Sequence, residues 1–481
     1  MKYLLTLALM FGCICPTPAR DQFLIKDITL INMVTGQPRA RVSVAVDGDR
    51  ITAVGRNVKT PRSLTVIDGS GKFLIPGLWD MHVHALDPRR FENFSRLFIA
   101  NGVTGIRDTG TTAEGFAILG RLRSEIASGK RTGPRIIAAG RIMDGANPVV
   151  PPNSIPFTGP SAAREQVRFL KNSGADFIKV YDGISREEYF AIIDEAKKLR
   201  IPVAGHVPNG LTSFEASAAG QRSLEHLGNI LRTCSSPDAK TIEDRANASV
   251  KPSGKPGDFS HIPARIAVRT KVELDTFDEK KCQSLYATFV RNNTWQVPTL
   301  VTKRPLSLFD DGGFADDQRM KYISADELEN WKPESNFFLK FRTPEFIVQK
   351  KRLYQKELEL VRDMHAAGVP FLAGTDIPGA YTYPGFSLHD ELQLLVQNGF
   401  TPFEALKTAT INPAKFLGLD ESLGTIEKGK LADLVLLDGN PLENIGFTQK
   451  IFAVVVNGKY LSRADLDTML AGVEEANRGR R

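Results

Sequence analysis

The chain has 481 residues, 42% hydrophobic and 24% charged, with a formal net charge of +7. That balance excludes a disordered or low-complexity protein and leaves room for a barrel-sized core or more than one domain. The basic residues are scattered rather than clustered, which argues against nucleic acid as a partner.

The N-terminus reads as an export leader. Lys2 precedes an apolar stretch from Tyr3 to Cys15, then Pro16-Thr17-Pro18-Ala19. The stretch is too short for a stable membrane span and fits a secretory signal peptide over residues 1–19. The mature chain is then periplasmic or secreted. Met10-Phe11-Gly12-Cys13 is a poor lipoprotein acceptor site. Cys13 and Cys15 leave with the leader. Cys234 and Cys282 remain, and export permits one bridge between them, with two free thiols as the alternative.

Residues 22–75 read as short β-rich runs punctuated by Asp47-Gly48 and Asp68-Gly69, and a similar texture returns over 423–465 around Asn457-Gly458. Two β segments flanking a long middle predict one small β-sandwich domain built from both chain ends. The middle, 76–422, alternates short apolar runs with helical stretches, the texture of a TIM-type (β/α)8 barrel. Eight strands are predicted, at 73–78, 103–107, 135–139, 176–181, 201–205, 222–226, 295–301 and 369–374. Helices are predicted near 91–100, 113–128, 161–173, 186–199, 211–219, 345–367, 387–398 and 402–409, with Gly174, Gly220 and Gly399 as helix stops. Residues 231–294 and 302–344 are long, polar and Pro/Gly-punctuated, and read as lids over the barrel mouth.

Ligand-capable side chains recur at the ends of the apolar runs. His82 and His84 close the first, and strand alternation turns both to one face. Lys179 lies inside Phe177-Ile178-Lys179-Val180-Tyr181. His206 follows the fifth run, His226 ends the sixth and Asp376 ends the eighth. In a βα barrel such positions converge on one rim, where active sites are built. Each residue has a plainer reading too. Lys179 can line the barrel as half of an ion pair, and Asp376 can cap a turn before Ile377-Pro378-Gly379. His389, near a helix start after the eighth run, is a further candidate for the pocket, while His261 and His365 read as solvated.

With those motifs in place, the chain resembles the metal-dependent amidohydrolase superfamily, in its imidazolonepropionase-like and prolidase-like branch. The resemblance rests on Pro76-Gly77-Leu78-Trp79-Asp80-Met81-His82-Val83-His84, Asp176-Phe177-Ile178-Lys179-Val180-Tyr181, Gly205-His206, Glu225-His226, Gly374-Thr375-Asp376 and the tail from Gly424 to Leu434. It implies two divalent metal ions, with zinc expected. His82, His84 and Asp376 would hold the buried ion, His206 and His226 the other, and a carbamate on Lys179 would bridge them. It implies hydrolysis of the C–N amide bond of a small acyl-amino compound or peptide by a metal-bridging hydroxide. Asp376 would act as the catalytic proton carrier and Tyr181 as an oxyanion donor, with core packing the alternative for Tyr181. Cleavage of a cyclic amide, lactone or ester, a mononuclear deaminase, and a non-catalytic periplasmic binding protein are the rival readings. The stretch Val207-Pro208-Asn209-Gly210 departs from the dipeptidase pattern, and basic residues of the long insertions, Arg232 and Lys303-Arg304 among them, are candidates for a substrate carboxylate. No stable membrane span is expected, and a homo-oligomer stays open.

Overall fold

A computed structural model describes residues 22–59, 64–248, 261–336, 339–340 and 342–478. The expected leader, 1–19, with Cys13 and Cys15, lies outside the described residues. In chain order the strands are β1 (Gln22–Ile31), β2 (Pro38–Asp47), β3 (Arg50–Gly55), β4 (Thr65–Asp68), β5 (Phe73–Pro76), β6 (Leu78–Val83), β7 (Val103–Asp108), β8 (Arg135–Ala138), β9 (Ile142–Met143), β10 (Ser154–Ile155), β11 (Ile178–Val180), β12 (Val203–Gly205), β13 (Ser223–Glu225), β14 (Trp295–Val297), β15 (Leu434–Leu437), β16 (Ile451–Val456) and β17 (Lys459–Ser462). The eight predicted helices form close to their predicted ends, and Gly174, Gly220 and Gly399 all adopt positive φ.

Strands from both chain ends share one eight-stranded sheet, in the order β17-β16-β15-β5-β1-β2-β3, with β4 also pairing β1. Its inner strand β15, between β16 and β5, reads Leu-Val-Leu-Leu and is buried throughout. Asn457-Gly458 makes the tight β16–β17 turn because both residues take positive φ, as a type I′ hairpin requires. The sheet packs around Ile25, Val44, Leu74, Leu436 and Val455.

The middle of the chain is α/β with parallel strands. β6, β7 and β8 form one parallel sheet. A second runs β10-β9-β11-β12-β13-β14. Helices cover them and bury spaced apolar faces. Phe91–Ala100 turns in Phe91, Phe94, Leu97 and Phe98. Arg186–Lys198 is started by a capping box between Ser185 and Glu188 and buries Tyr189, Ile192, Ile193 and Ala196.

Several predicted elements differ from those observed, among them the strand 295–301, which ends at Val297, and the segment 302–344, which holds helices at Leu300–Leu308 and Ala325–Trp331. The run 73–78 splits at Gly77. β5 joins the terminal sheet, and β6 starts afresh at Leu78 and carries His82 inside the strand. Only glycine fits the crossing, because a Cβ on Gly77 would lie 1.9 Å from Thr104 Oγ1. The run 369–374 forms no regular strand. Its backbone instead bonds to two neighbours. Gln296 N–H reaches the Pro370 carbonyl at 2.9 Å, Met81 N–H reaches the Ala373 carbonyl at 2.9 Å, and Asp376 N–H reaches the His82 carbonyl at 2.7 Å. Residues 231–294, read as long polar loops, hold helices at Ile230–Cys234, Ala239–Asn247, His261–Asp275 and Glu279–Asn292. The first two are short, but Glu279–Asn292 buries Cys282, Leu285, Tyr286 and Phe289 at helical spacing, a signal the loop reading passed over.

Cys234 and Cys282 are joined, closing a loop of 48 residues around two of these helices. Asp278 N–H also bonds the Cys234 carbonyl at 2.8 Å. A loop of that length restricts the unfolded chain strongly. Replacing both cysteines by serine is expected to lower stability by about 2–4 kcal/mol, read as a lower urea midpoint at an unchanged slope.

Candidate metal centre

The strand ends bring the predicted ligands together. His82 leaves β6 with His84 two residues on. Their ring centroids are 5.5 Å apart, those of His82 and His226 4.4 Å, and those of His206 and His226 5.0 Å. Asp376 Oδ1 lies 3.4 Å from His82 Nε2 and 3.3 Å from His84 Nε2, and its Oδ2 lies 3.9 Å from His226 Nδ1. Ligand atoms of His82, His226 and Asp376 all fall within 4.8 Å of one another. Lys179, on β11, is 1% exposed and sits within electrostatic reach of His82, His226, Glu225 and Asp376.

Each ring is held from behind. His82 Nδ1 donates to Glu225 Oε2 at 2.7 Å, His84 Nδ1 to the Gly110 carbonyl at 2.6 Å and His206 Nδ1 to Asp182 Oδ1 at 3.0 Å. The acceptors place the proton on Nδ1 and leave the Nε2 lone pair facing inward. His226 Nδ1 is 2.7 Å from Thr299 Oγ1. Orientation of a ring through its far nitrogen is how proteins fix metal-ligating histidines.

Behind His82 stands a buried ionic network. Arg107, fully buried on β7, donates to Glu225 Oε1 at 2.9 Å, to Ser223 Oγ at 3.0 Å and to the Met81 carbonyl at 2.6 Å. The rings of Phe177 and Phe416 lie 5.4 and 5.2 Å from its guanidinium. Burial alone would raise the Glu225 carboxyl, but Arg107, Lys179 and Ser223 hold it below its ordinary range. Asp80, also on β6, fixes the opposite wall by accepting Thr375 N–H at 3.0 Å and the Thr375 hydroxyl at 2.6 Å.

The backbone is strained where the ligands sit. His226, Thr299 and Asp376 have φ of 59, 49 and 58°, a region L-residues seldom occupy and β-branched threonine least of all. Gly205, one residue before His206, leaves no room for a side chain. A Cβ there would come 2.2 Å from the Val180 carbonyl and 3.1 Å from Lys179 Cδ.

Burial, joined by repulsion from Lys179, His84 and Arg107, holds His82 well below its ordinary basicity, and burial does the same to His226. Burial disfavours a charged Asp376, yet His226, His84 and Lys179 outweigh it and keep the carboxyl low. Burial pushes the Lys179 amine down to about 8, against the pull of Glu225 and Asp376. Three buried atoms, His82 Nε2, His206 Nε2 and Lys179 Nζ, have no hydrogen-bond partner. Orphaned donor atoms at the centre of an otherwise satisfied cluster, beside an ionised carboxylate, fit a metal ion.

Two expectations are corrected or extended. His389 is not in the cluster. It is buried elsewhere, with Nδ1 2.9 Å from Thr448 Oγ1 and Nε2 3.0 Å from the Asn101 carbonyl, so both ring nitrogens are taken. Tyr181 is at the site, its ring stacked 3.9 Å from that of His206, and burial raises its hydroxyl. Sequence reasoning missed Arg107, Asp182, Thr299 and Asp80 as supports. Arg107 carried a signal, an arginine inside the apolar run of β7.

The chain matches the amidohydrolase family over residues 73–461. It is similar to the imidazolonepropionase of Flavobacterium johnsoniae, 31% identical over 127 residues that cover 26% of this chain and 31% of that protein. It is also similar to the ochratoxinase of Aspergillus niger, 41% identical over 90 residues, 18% of each chain. The chain spans less than a third of the length of these curated relatives. Among solved structures, a Xaa-Pro dipeptidase with methionine in its active site superposes with a TM-score of 0.65 at 22% identity, over 92% of this chain and 100% of that one.

Two outcomes are expected. Glu225→Gln, which keeps the shape but weakens the hold on His82 Nδ1, lowers divalent-metal affinity about 10–100-fold, measured by chelator competition. Glu391, buried behind Thr299 and accepting Leu300 N–H at 3.1 Å and Val301 N–H at 2.7 Å, is pushed up to about 8 by burial against these two bonds. A raised carboxyl stabilises the fold below its unfolded value, and that stability is lost as pH rises toward 8. Urea midpoints are expected to fall across that window in the wild type and to fall less in Glu391→Gln.

Proposed function

Because the chain belongs to the amidohydrolase family, whose members are metal-dependent hydrolases of C–N bonds, we propose that it cleaves the amide bond of a small acyl-amino compound or peptide at a binuclear centre. The observation that carries this reading is the grouping of His82, His226 and Asp376 with ligand atoms within 4.8 Å of one another, His84 at 3.3 Å from Asp376, the His206 ring 5.0 Å from that of His226, and Lys179 buried within their electrostatic reach. His82, His84 and Asp376 would hold one zinc ion and His206 and His226 the other. Lys179, carboxylated, would reach both. When bound, two such ions acidify water toward neutrality and polarise a carbonyl.

The chain's own groups supply the rest. The lowered basicity of Lys179 leaves more of its amine neutral near pH 7, and only the neutral amine can add to carbon dioxide, losing one proton as the C–N bond of the carbamate forms. Asp376, ionised, takes a proton from the attacking water at its carboxylate and returns it to the departing nitrogen. Tyr181, kept protonated, donates to the developing oxyanion. For the scaffold, we read segment 370–377 as the eighth member of a closed (β/α)8 barrel over 76–422, with 22–75 and 423–465 forming the accompanying β domain. The export leader expected over residues 1–19 would make the enzyme periplasmic or secreted. Among the described residues no helix is long and apolar enough to cross a membrane.

Purified protein reconstituted with zinc, then offered N-acyl amino acids, dipeptides, lactams and lactones, tests the reading. Amide hydrolysis is expected, with two metal ions per chain, and Asp376→Asn should lower kcat by about 10²–10⁴-fold. Turnover of lactones alone, or one ion per chain beside an unmodified Lys179, would sink it.

A further inference from the structure

The left-handed backbone at His226 continues past it. Leu227 and Asn229 follow at φ of 57 and 59°, so three of the four residues after β13 lie where side chains seldom allow. Such backbone persists only when its surroundings fix it from both ends. At the β13 end, His226 N–H bonds the Val297 carbonyl at 2.8 Å and Gly228 N–H the Glu225 carbonyl at 3.0 Å. At the other end the chain passes straight from Asn229 into the helix Ile230–Cys234.

That helix has five residues, too few to stand by itself. Its surroundings hold it. Ile230, Leu231, Thr233 and Cys234 are buried, and Cys234 is bonded to Cys282 on the helix Glu279–Asn292. Ser235 Oγ donates to the Leu231 and Glu273 carbonyls at 2.8 and 3.1 Å, and Lys281 Nζ to the Ser235 carbonyl at 2.7 Å. From the opposite end, Asn229 Nδ2 donates to the carbonyls of Val207 at 2.8 Å and Pro208 at 3.2 Å, the two residues after His206. Asn209 N–H, next along, bonds the carbonyl of Asp182, whose carboxylate orients His206. One amide thus ties the loop that carries His226 to the loop that carries His206. Arg232, a candidate read from the sequence for a substrate carboxylate, instead faces Glu243 at 3.8 Å.

We propose that Asn229 is a positioning residue for the His206–His226 pair, and that the Cys234–Cys282 bridge is the anchor through which it acts. The bridge thereby sets the affinity of the second metal ion. This rests on the binuclear reading above and adds a determinant to one half of it. With the bridge open, only non-covalent contacts hold the five-residue helix, and the loop from His226 to Asn229 relaxes toward the backbone its side chains prefer. Relaxation turns His226 away from His206 and withdraws the amide from Val207 and Pro208. His82 and His84 are braced separately, by Glu225 and the Gly110 carbonyl, so the first ion keeps most of its hold.

The test is a double-mutant cycle on zinc affinity, read by chelator competition in the full chain. It compares the wild type, Asn229→Gly, Cys234→Ser with Cys282→Ser, and all three substitutions together. Glycine accepts the left-handed backbone and removes only the amide. Asn229→Gly and the paired serines should each weaken the second ion at least about tenfold and leave the first nearly unchanged. The combined variant should be no weaker than the worse of the two, because both break one linkage. A general loss of stability would instead act on both ions and add. Asn229→Asp, which cannot donate to a carbonyl, should match Asn229→Gly. Circular dichroism checks folding. If the paired serines do not fold, a phosphine opens the bridge in the folded protein, taking oxygen from water to become its oxide as two thiols form. Iodoacetamide then caps the thiols before the same titration. Two bound ions with second-ion affinity unchanged in Asn229→Gly, or losses that add, overturn the coupling and spare the binuclear reading. A single ion per wild-type chain sinks that reading and the coupling together.

Discussion

Burying four imidazoles, a lysine amine and a carboxylate in one place is unfavourable unless their charges and dipoles are answered. The pairing of Glu225 with Arg107 is what answers them. The guanidinium neutralises the carboxylate in a fully enclosed position, and the carboxylate in turn fixes the His82 proton. Removing either partner would leave an uncompensated charge beneath the centre, which costs far more than the pair contributes. The network sits one layer below the ligands and decides which way the first of them points.

Around that base, the remaining supports come from separate elements. Asp182 follows β11, Thr299 follows β14, and Gly110 follows β7. Gln221 ties two strand ends by donating to the carbonyls of Gly205, His206 and Ser223. His84, His206 and His226 therefore take their orientation from a neighbouring strand's loop, whereas His82 takes it from Glu225 inside β13. Such cross-bracing lets left-handed backbone persist at His226, Thr299 and Asp376, because hydrogen bonds on either side over-determine it.

The clustering of His82, His84, His206, His226 and Asp376 was legible because imidazole and carboxylate at the ends of apolar runs are hard to explain otherwise. The helices facing the core were legible for the same kind of reason, a repeated apolar spacing. What stayed hidden depended on pairing across long separations. Arg107 and Glu225 are 118 positions apart, and no local pattern links them. His389 misled because proximity to the last strand along the chain does not fix direction. Its helix turns the ring toward Thr448 and Asn101. The strand split at Gly77 was hidden inside one unbroken apolar run, since both halves are buried. The run 369–374 lacks ladder regularity, and just beyond it two amides, of Thr375 and Asp376, converge on the single His82 carbonyl.

The placement of β5 has a consequence for biosynthesis. It lies between β1 and β15 in the terminal sheet, and one residue later the chain enters the strand that bears His82. Gly77 N–H bonds the carbonyl of Asp433, and Trp79 N–H that of Ala409. The first histidine-bearing strand is thus anchored by residues made hundreds of codons later. A ribosome that has yet to pass Asp433 holds a nascent polypeptide in which Gly77, at the entry to that strand, still lacks its bonding partner, so the strand's final anchorage is a late event of synthesis.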